Sequence, residues 1–328
     1  MLPATVRFMA VLIPVLALQS LAQEKRVAVT DPAKADVDFA VQGEYSGELE
    51  TNDGRVKWGI QVIALGDGKF EGVAYRGGLP GDGWDRASRI RASGQTEGGK
   101  TMIKATQGSG VIQKGVMQIL DENGNAIGEL KKIERKSPTL GAKSPAGAIV
   151  LFDGSSADQF DGGRMTDNKL LMEGVTSKRK FQNYTLHLEF LLPYMPYSRG
   201  QARSNSGCYQ QGRYEVQILD SFGLDGKNNE CGGIYTIKDP DQNMCFPPLS
   251  WQTYDIDYTA AKFDDSGQKT ANARITVRHN GVVVHDNVEL PKDTTGAPVK
   301  EGHEPGPIFL QNHGDPVRFR NIWLVEKK

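Results

Sequence analysis

The sequence lacks the signatures of several large enzyme classes. Its 328 residues contain no serine nucleophile elbow, no phosphate-binding glycine loop, no dinucleotide fingerprint and no His/Cys set with zinc spacing. Cysteine and histidine are scarce, with three and five residues. Neither charge is in excess, since 39 basic side chains stand against 40 acidic ones, and no lysine-rich run indicates nucleic acid or an anionic membrane as a partner. We therefore expect no cofactor, no metal site and no nucleic-acid partner.

Long apolar runs are also missing, except at the N-terminus. Arg7 is followed by an apolar run over residues 8–18 and by the small residues Ser20 and Ala22. This order is typical of a cleaved secretory signal, and the run is shorter than the roughly 20 residues of a comfortable membrane span. We predict that residues 1–22 are a signal peptide, that the protein is exported to a periplasmic or extracellular location, and that it keeps no stable membrane insertion after cleavage.

Export bears on the three cysteines, because an oxidising compartment permits a disulfide. Cys231 and Cys245 bracket a loop rich in glycine and proline, and we predict that they form the pair. Cys208 is then left as a thiol. No histidine stands near it in the sequence, so a small buried hydrophobic residue is favoured over a nucleophile.

Helical periodicity is absent, whereas glycine and proline punctuate many short apolar runs. Residues 37–136 are predicted to form a small antiparallel β domain, a barrel or a sandwich. Trp84 lies in a glycine-rich loop of this domain, where it could stack on a sugar or cap the core; an isolated tryptophan more often packs. The candidate strands are 41–49, 57–65, 69–75, 101–106, 115–120 and 126–133.

Residues 137–148 have no periodicity, two prolines and many small side chains, and they are predicted to be a linker. The domain that follows, over residues 149–328, has long alternating strands and the strong hairpin signal Asn280-Gly281. With no helices between these strands, the pattern indicates two packed antiparallel sheets of the jelly-roll kind. The fold class that we predict is therefore all-β, with a C-terminal β-sandwich preceded by a small antiparallel β domain.

Polar groups are concentrated in residues 203–220. Residues 214–220 read as a strand whose alternation puts Glu215 and Gln217 on one face and the apolar residues on the other. Asp220 would join Glu215 only if a one-residue bulge followed Gln217. Paired donors and acceptors of this kind suit a carbohydrate substrate. The candidate catalytic residues are Glu215, Asp220 and His313, and the candidate substrate-binding residues are Arg203, Asn205, Gln211, Gln217, Glu230 and Gln311.

Structural interpretations compete with each catalytic assignment. Glu215 could form an ion pair with Arg203 or Arg213 across the strands, as surface carboxyl and guanidinium groups often do. Asp220 could cap the turn that follows it. His313 could stabilise the turn in Asn312-His313-Gly314 by a hydrogen bond.

Several sequence blocks, in order, carry a resemblance to known families. The spacing from Glu215 to Asp220 is similar to the Glu-x-Asp-x-x-Glu strand of laminarinase-like glucanases, but an amide stands in the middle and the last acid is shorter. The second domain more closely resembles the 3-keto-disaccharide hydrolase domain family. That resemblance implies a concanavalin-like jelly roll and cleavage of glycosides already oxidised to a ketone at C3. Its blocks are LFDG at 151–154, RSNSG at 203–207, YEVQILD at 214–220, Trp251, Asn280-Gly281, GPIFLQNHG at 306–314 and VRFRNI at 317–322.

The implied chemistry needs a single base. A C3 ketone acidifies the proton on C2, so its removal gives an enolate that expels the C1 substituent, and water then adds. We assign Glu215 as the base and Arg203, Asn205 or His313 as donors to the enolate oxygen. The alternative is a non-catalytic carbohydrate-binding or matrix-interaction protein, for which Tyr194, Tyr197 and Tyr209 are the aromatic candidates. The sequence gives no oligomeric state.

Overall fold

The computed structural model describes residues 27–87 and 89–327. The signal peptide predicted for residues 1–22 lies outside these ranges. Within them, no helix is both long enough and apolar enough to cross a bilayer. The chain is almost all β, with an N-terminal eight-stranded antiparallel barrel followed by the sheets of a sandwich. The predicted fold class is confirmed.

The N-terminal strands form one closed barrel in sequence order, and β8 pairs back with β1. Three of its hairpins turn through two residues at positive φ, including the predicted turn Asp67-Gly68. Such turns match the right-handed twist of the flanking strands. A short helix, α1 (Val37–Val41), and a 3₁₀ helix (Pro32–Lys34) precede the barrel. Its strands are β1 Gly43–Thr51, β2 Gly54–Gly66, β3 Lys69–Arg76, β4 Arg89–Glu97, β5 Lys100–Ala105, β6 Gly108–Gln113, β7 Val116–Leu120 and β8 Ala126–Ile133.

Two large sheets form the C-terminal part. The five-stranded sheet has the order β10-β12-β21-β14-β15, and the larger sheet has the order β11-β22-β13-β16-β19-β20, with β9 paired to β22. The predicted Asn280-Gly281 turn joins β19 to β20, with both residues at positive φ. The strands are β9 Ile149–Phe152, β10 Phe160–Asp161, β11 Leu171–Met172, β12 Val175–Phe181, β13 Tyr184–Leu191, β14 Ser206–Gln210, β15 Tyr214–Ile218, β16 Trp251–Thr259, β17 Lys262–Phe263, β18 Lys269–Ala271, β19 Ala273–His279, β20 Val282–Leu290, β21 Gly306–Leu310 and β22 Arg318–Glu326.

One apolar core fills the sandwich. The five-stranded sheet contributes Val216 and Leu310, and the larger sheet contributes Leu188 and Phe190, all fully buried. Because side chains alternate along a strand, the residues between these positions lie on the outer faces of the two sheets. The outer face of the five-stranded sheet therefore carries Glu215.

The predicted linker is ordered against the outer face of the larger sheet. The hydroxyl of Ser137 hydrogen-bonds that of Thr253 at 2.6 Å, and the backbone N–H of Gly141 donates to Glu189 at 2.5 Å. The hydroxyl of Thr139 donates to Asp255 at 2.7 Å. Residues 137–141 thus cover polar side chains of the sandwich.

The barrel packs against segments on either side of the β14–β15 hairpin. Ile63, Val73 and Tyr75, on the outside of the barrel, form an apolar cluster with Phe222, which follows β15. Trp84 packs against the same cluster with its ring 5.1 Å from that of Tyr75. This contact supports the packing interpretation of Trp84 over the sugar-stacking one.

Polar contacts extend this interface on both sides of the hairpin. Asp225 pairs with Arg89 at 2.8 Å and with Arg91 at 2.5 Å. On the other side, before β14, the Tyr197 hydroxyl donates to Asp67 at 3.0 Å. The barrel therefore contacts the chain just before and just after the hairpin that carries Glu215.

Candidate active site

The β14–β15 hairpin places Glu215 beside Tyr209. The two strands pair without a register shift, so that Tyr209 lies opposite Glu215 and Gly207 lies opposite Gln217. Val216 enters the sandwich core. Alternation therefore puts these four polar or small residues together on the opposite face, as the sequence predicted for Glu215 and Gln217.

Glu215 is a buried carboxyl with one strong donor. Its side chain is 2% exposed, and the Tyr209 hydroxyl donates to its Oε2 at 2.7 Å. Burial raises the pKa of Glu215 to about 7, and the hydrogen bond from Tyr209 opposes part of that rise. A carboxyl with this pKa can accept and release a proton near neutral pH.

The competing interpretation of Glu215 was an ion pair with Arg203 or Arg213. The structure gives both arginines other partners: Arg203 pairs with Asp220 at 2.7 Å, and Arg213 donates to backbone carbonyls and to Gln211. Across the two described ranges, Glu215 has no ion pair. Its carboxylate is therefore not held in place by a neighbouring positive charge.

Gly207 provides the space for the Glu215 side chain. A Cβ added at Gly207 would clash with Oε1 of Glu215. The carboxyl thus lies directly over the backbone of β14, and any larger residue at position 207 would displace it. A cross-strand glycine opposite Gln217 is a signal that the sequence contains in the block RSNSG.

Gln311 extends the network along the same face. Its Nε2 donates to the Tyr209 hydroxyl at 3.2 Å, and its backbone N–H donates to Gly207 at 2.9 Å. Buried polar atoms normally find partners. Among the residues that the structure describes, Gln311 Oε1, Asn205 Oδ1 and Arg203 Nη2 are buried without one. Three of the predicted substrate-binding residues thus keep unused hydrogen-bonding capacity.

Two amide groups converge on the side chain of Gln201. The Gln217 Nε2 and the Asn205 Nδ2 each donate to Gln201 Oε1 at 3.3 Å. Gln201 lies in a 3₁₀ helix (Gly200–Ala202) and is exposed, whereas Gln217 and Asn205 are buried. The exposed amide of Gln201 therefore covers two donors beside Glu215. Sequence reasoning missed this residue.

Asp220 lies beyond the strand rather than beside Glu215. β15 ends at Ile218, and the predicted bulge after Gln217 is absent. The Asp220 carboxylate accepts from Arg203 Nε at 2.7 Å and from the Phe222 backbone N–H at 3.2 Å. These contacts give Asp220 the turn-capping role that was its structural alternative.

Gln211 and Glu230 are occupied by local structure. Gln211 donates to the Phe181 carbonyl at 2.8 Å and accepts from the Tyr258 hydroxyl at 2.8 Å. Glu230 accepts from two backbone N–H groups of the turn that it closes, at 2.6 and 3.0 Å. No hydrogen bond between described residues joins either side chain to Glu215.

His313 is exposed in the loop after β21, two residues from Gln311. In the same loop, the Gly314 backbone N–H donates to Asn312 at 2.6 Å. The loop therefore turns at the edge of the Glu215 face, and His313 lies at its surface.

The predicted disulfide is wrong. Cys208, Cys231 and Cys245 are all free thiols, and each is fully buried in the sandwich core. Cys231 Sγ lies 3.2 Å from the Tyr254 hydroxyl, and Cys245 Sγ lies 3.6 Å from the Leu219 carbonyl. The two cysteines thus belong to the core instead of clamping a surface loop. Burial raises the pKa of Cys208 to about 12, which fits a small buried residue rather than a nucleophile.

A second charged cluster lies under the linker, and the sequence did not reveal it. His187 hydrogen-bonds Asp255 at 2.6 Å, and Arg320 donates to Glu189 at 2.6 Å. Burial alone would raise the pKa of Glu189, but hydrogen bonds from His187, Asn321 and Arg320 outweigh it and lower the pKa to about 2. Burial would likewise lower the pKa of His187, but its bonds to the two carboxylates raise it. This linker cluster is a fully partnered ionic network, unlike Glu215.

No group of three or more His, Cys, Asp or Glu side chains in residues 27–87 and 89–327 is arranged to hold a metal ion. The aromatic candidates for a binding module are not an exposed platform either. Tyr194 and Tyr209 are buried, and Tyr197 is hydrogen-bonded to Asp67. The Glu215 face thus offers one carboxyl of raised pKa surrounded by neutral amides.

Residues 147–325 of the 328 match the family model of the 3-keto-alpha-glucoside-1,2-lyase-like domain. A crystal structure of a "putative glycosyl hydrolase" from Parabacteroides distasonis ATCC 8503 is 34% identical, covers 56% of this chain and 85% of its own, and superposes with a TM-score of 0.52. Two more structures from that organism, described in the same words, are 14% and 22% identical, with TM-scores of 0.41 and 0.39. They cover 56% and 55% of this chain and 94% and 99% of their own. No curated protein matches the chain.

Proposed function

This chain belongs to the family of the 3-keto-alpha-glucoside-1,2-lyase-like domain, and from that premise we propose that it is an exported enzyme that cleaves 3-keto-glycosides, with Glu215 as its base. The family and the similarity to a structure described as a glycosyl hydrolase support a glycoside-degrading function. The observation that carries the finer proposal is the single buried carboxyl with a pKa of about 7 among neutral amides.

One carboxyl suits elimination better than double displacement. Retaining and inverting glycosidases use two carboxyl groups that flank the scissile bond. Asp220, the second candidate, is engaged by Arg203 and by the Phe222 backbone N–H. Elimination from a 3-keto sugar requires only one base, because the ketone acidifies the proton on C2.

The proposed reaction begins at C2. Glu215 takes the C2 proton, and the C–H electron pair forms an enolate with the C3 oxygen. The enolate then expels the C1 oxygen substituent, which leaves as an alcohol after it takes up a proton, and a C1–C2 double bond remains conjugated with the ketone. Addition of water at C1 and of a proton at C2 gives the free 3-keto sugar. A base with a pKa near 7 is matched to such proton transfers at neutral pH.

The two amide donors near Gln201 suggest where the enolate oxygen lies. Gln217 Nε2 and Asn205 Nδ2 both point to one oxygen, Gln201 Oε1, at 3.3 Å. We assign that position to the C3 oxygen of the substrate, which would replace the Gln201 side chain. Two converging N–H donors are the arrangement that stabilises a developing oxyanion. Asn205 was one of the three donors predicted from the sequence.

The test compares a 3-keto-disaccharide with its unoxidised parent. We expect release of monosaccharide from the 3-keto sugar only, with a primary isotope effect when C2 carries deuterium. Glu215→Gln should lower turnover by at least 10²-fold, in the range for loss of a general base. Glu289→Gln, an exposed carboxyl paired with Arg274 on β20, is the matched control and should keep full activity. Equal cleavage of the parent sugar, or full activity of Glu215→Gln, would disprove the assignment.

Export is tested separately. Cell fractionation should place the protein outside the cytoplasm, with a mature N-terminus close to residue 23. A cytoplasmic protein that retains residues 1–22 would contradict this part of the proposal and leave the chemistry untouched.

A further inference from the structure

We propose that the interior of the N-terminal barrel binds a small aromatic molecule that carries one hydrogen-bond acceptor. The barrel encloses a cavity of about 170 Å³ lined almost wholly by apolar side chains. This site lies inside β1–β8 and shares no residue with the Glu215 face. It therefore stands or falls independently of the function proposed for that face.

The cavity arises from small residues on one side of the barrel. Gly72, Ala74, Ala92, Ala105 and Gly110 line it from four consecutive strands, β3 to β6. Larger side chains face them from the other strands: Leu49, Trp58, Ile60, Ile119 and Ile127. A barrel of eight strands is just wide enough for side chains to fill its interior. A run of glycine and alanine across adjacent strands leaves that interior underfilled.

The rest of the interior shows that the underfilling is local. Tyr45, Val62 and Phe70 are buried to 1% exposure or less and pack together in the barrel core. Large aromatic side chains therefore fill the interior elsewhere. The cavity also reaches the turn between β5 and β6, where Gln107 lines it and is exposed. That turn provides an entry from solvent.

The size of the cavity selects the ligand class. A cavity of about 150 Å³ lined by aliphatic and aromatic side chains stays dry and accepts a benzene ring. The barrel cavity has nearly the same volume and the same kind of lining. A single six-membered aromatic ring with at most one or two further heavy atoms fits this space, whereas a sugar ring would bring hydroxyls that find no partners there.

One polar atom sets the second requirement. Trp58 lines the cavity, and its indole Nε1–H is buried without a hydrogen-bond partner in the described part of the chain. Indole is a donor only, so a matching ligand must supply an acceptor. The other lining side chains with polar ends are Gln107 and Ser109, at the β5–β6 end. Phenol meets both requirements, since it has one aromatic ring and one oxygen that can accept.

The experiment titrates the full-length protein with phenol and with benzene. Calorimetry and Trp58 indole N–H chemical shifts should show saturable binding of both, with phenol about 2- to 12-fold tighter, as one neutral hydrogen bond implies. Trp58→Phe keeps a ring but removes the donor, so it should bring the two affinities together. Unchanged preference for phenol in this variant would overturn the role of Trp58.

Ala92→Leu tests the cavity itself. The larger side chain should fill the space left by Ala92 and lower the affinity for both probes at least tenfold, while Ala126→Leu, at an exposed position of β8, should bind as the wild type does. Ala74→Leu repeats the test if Ala92→Leu does not fold. Equal binding by a folded cavity variant and by Ala126→Leu, or no saturable binding by the wild type, would refute the proposal.

Discussion

Glu215→Gln is expected to abolish turnover and, at the same time, to stabilise the fold at pH 8. Glu215 is 2% exposed and has no ion pair among the described residues, so its charged form is poorly solvated in the native state. In the unfolded chain the same carboxyl is surrounded by water. Glutamine has nearly the same shape and carries no charge at any pH. The substitution therefore removes a buried charge without removing side-chain volume.

The magnitude follows from the difference between the two pKa values. The folded pKa of about 7 exceeds the ordinary value of 4.5, so the native state binds the proton more tightly than the unfolded state. The contribution of Glu215 to stability is thus fully present below pH 4.5 and is lost as the pH rises through 7. At about 1.4 kcal/mol per pH unit, the loss amounts to about 3 kcal/mol at pH 8.

Urea denaturation at pH 4 and at pH 8 measures this loss. The quantity of interest is the free energy of unfolding of Glu215→Gln minus that of the wild type, compared between the two pH values. Costs that do not depend on pH, such as unpaired amide hydrogens over Gly207, cancel in that comparison. We expect the variant to gain about 3 kcal/mol relative to the wild type between pH 4 and pH 8.

Glu189→Gln is the matched control with the opposite sign. Hydrogen bonds hold the pKa of Glu189 at about 2, below its ordinary 4.5. Its contribution is present above pH 4.5 and is lost as the pH falls through 2, so this variant should lose about 3 kcal/mol at pH 8. A pH-independent effect of Glu215→Gln, or a loss of stability at pH 8 like that of Glu189→Gln, would refute the account of Glu215 as a buried, unpaired base.

Three further predictions concern the hairpin and its support. Tyr209→Phe removes the donor to Glu215 and should raise the pKa of that carboxyl further, so the acid limb of the kcat/KM profile should move up by about 1 to 2 pH units, given about 1.5–3 kcal/mol for a hydrogen bond to a charged group; an unmoved limb would contradict this. Gly207→Ala should displace Glu215 and lower kcat while leaving urea unfolding cooperative, and a variant with normal kcat would show that the close approach is unimportant. Phe222→Ala should cost about 3–5 kcal/mol by opening a cavity between barrel and sandwich, measured by urea denaturation against Phe263→Ala on the half-buried β17 as a milder control.

The sequence predicted the architecture well because apolar alternation and turn residues are local signals. Asn280-Gly281 and Asp67-Gly68 form the turns that their composition indicates. β4 and β6 of the barrel escaped prediction because their inward positions are small residues, as in Arg89–Glu97 and Gly108–Gln113, so that no apolar alternation marks them. The barrel cavity lies against these same strands. One feature of the chain thus weakened the strand signal and created the space.

The candidate site was predicted in part. The alternation that placed Glu215 and Gln217 on one face depends on the strand alone, and the structure has it. Tyr209 could have been found from the hairpin, because a three-residue turn after Gln210 puts it opposite Glu215. Gln201 could not, because its contact with Gln217 depends on how a 3₁₀ helix packs over the sheet. The disulfide failed because cysteine spacing does not reveal that both thiols enter the core.

The contacts between barrel and sandwich also bear on how such a chain can evolve. Phe222 and Asp225 come directly after the strand that carries Glu215, and both are engaged by residues of the barrel, Ile63 and Arg89 among them. A recombination event that exchanged the barrel for an unrelated domain would leave an apolar ring and a carboxylate unmatched next to the hairpin. Inheritance of the two halves is therefore expected to be joint, with compensating substitutions at positions 63, 73, 89 and 222.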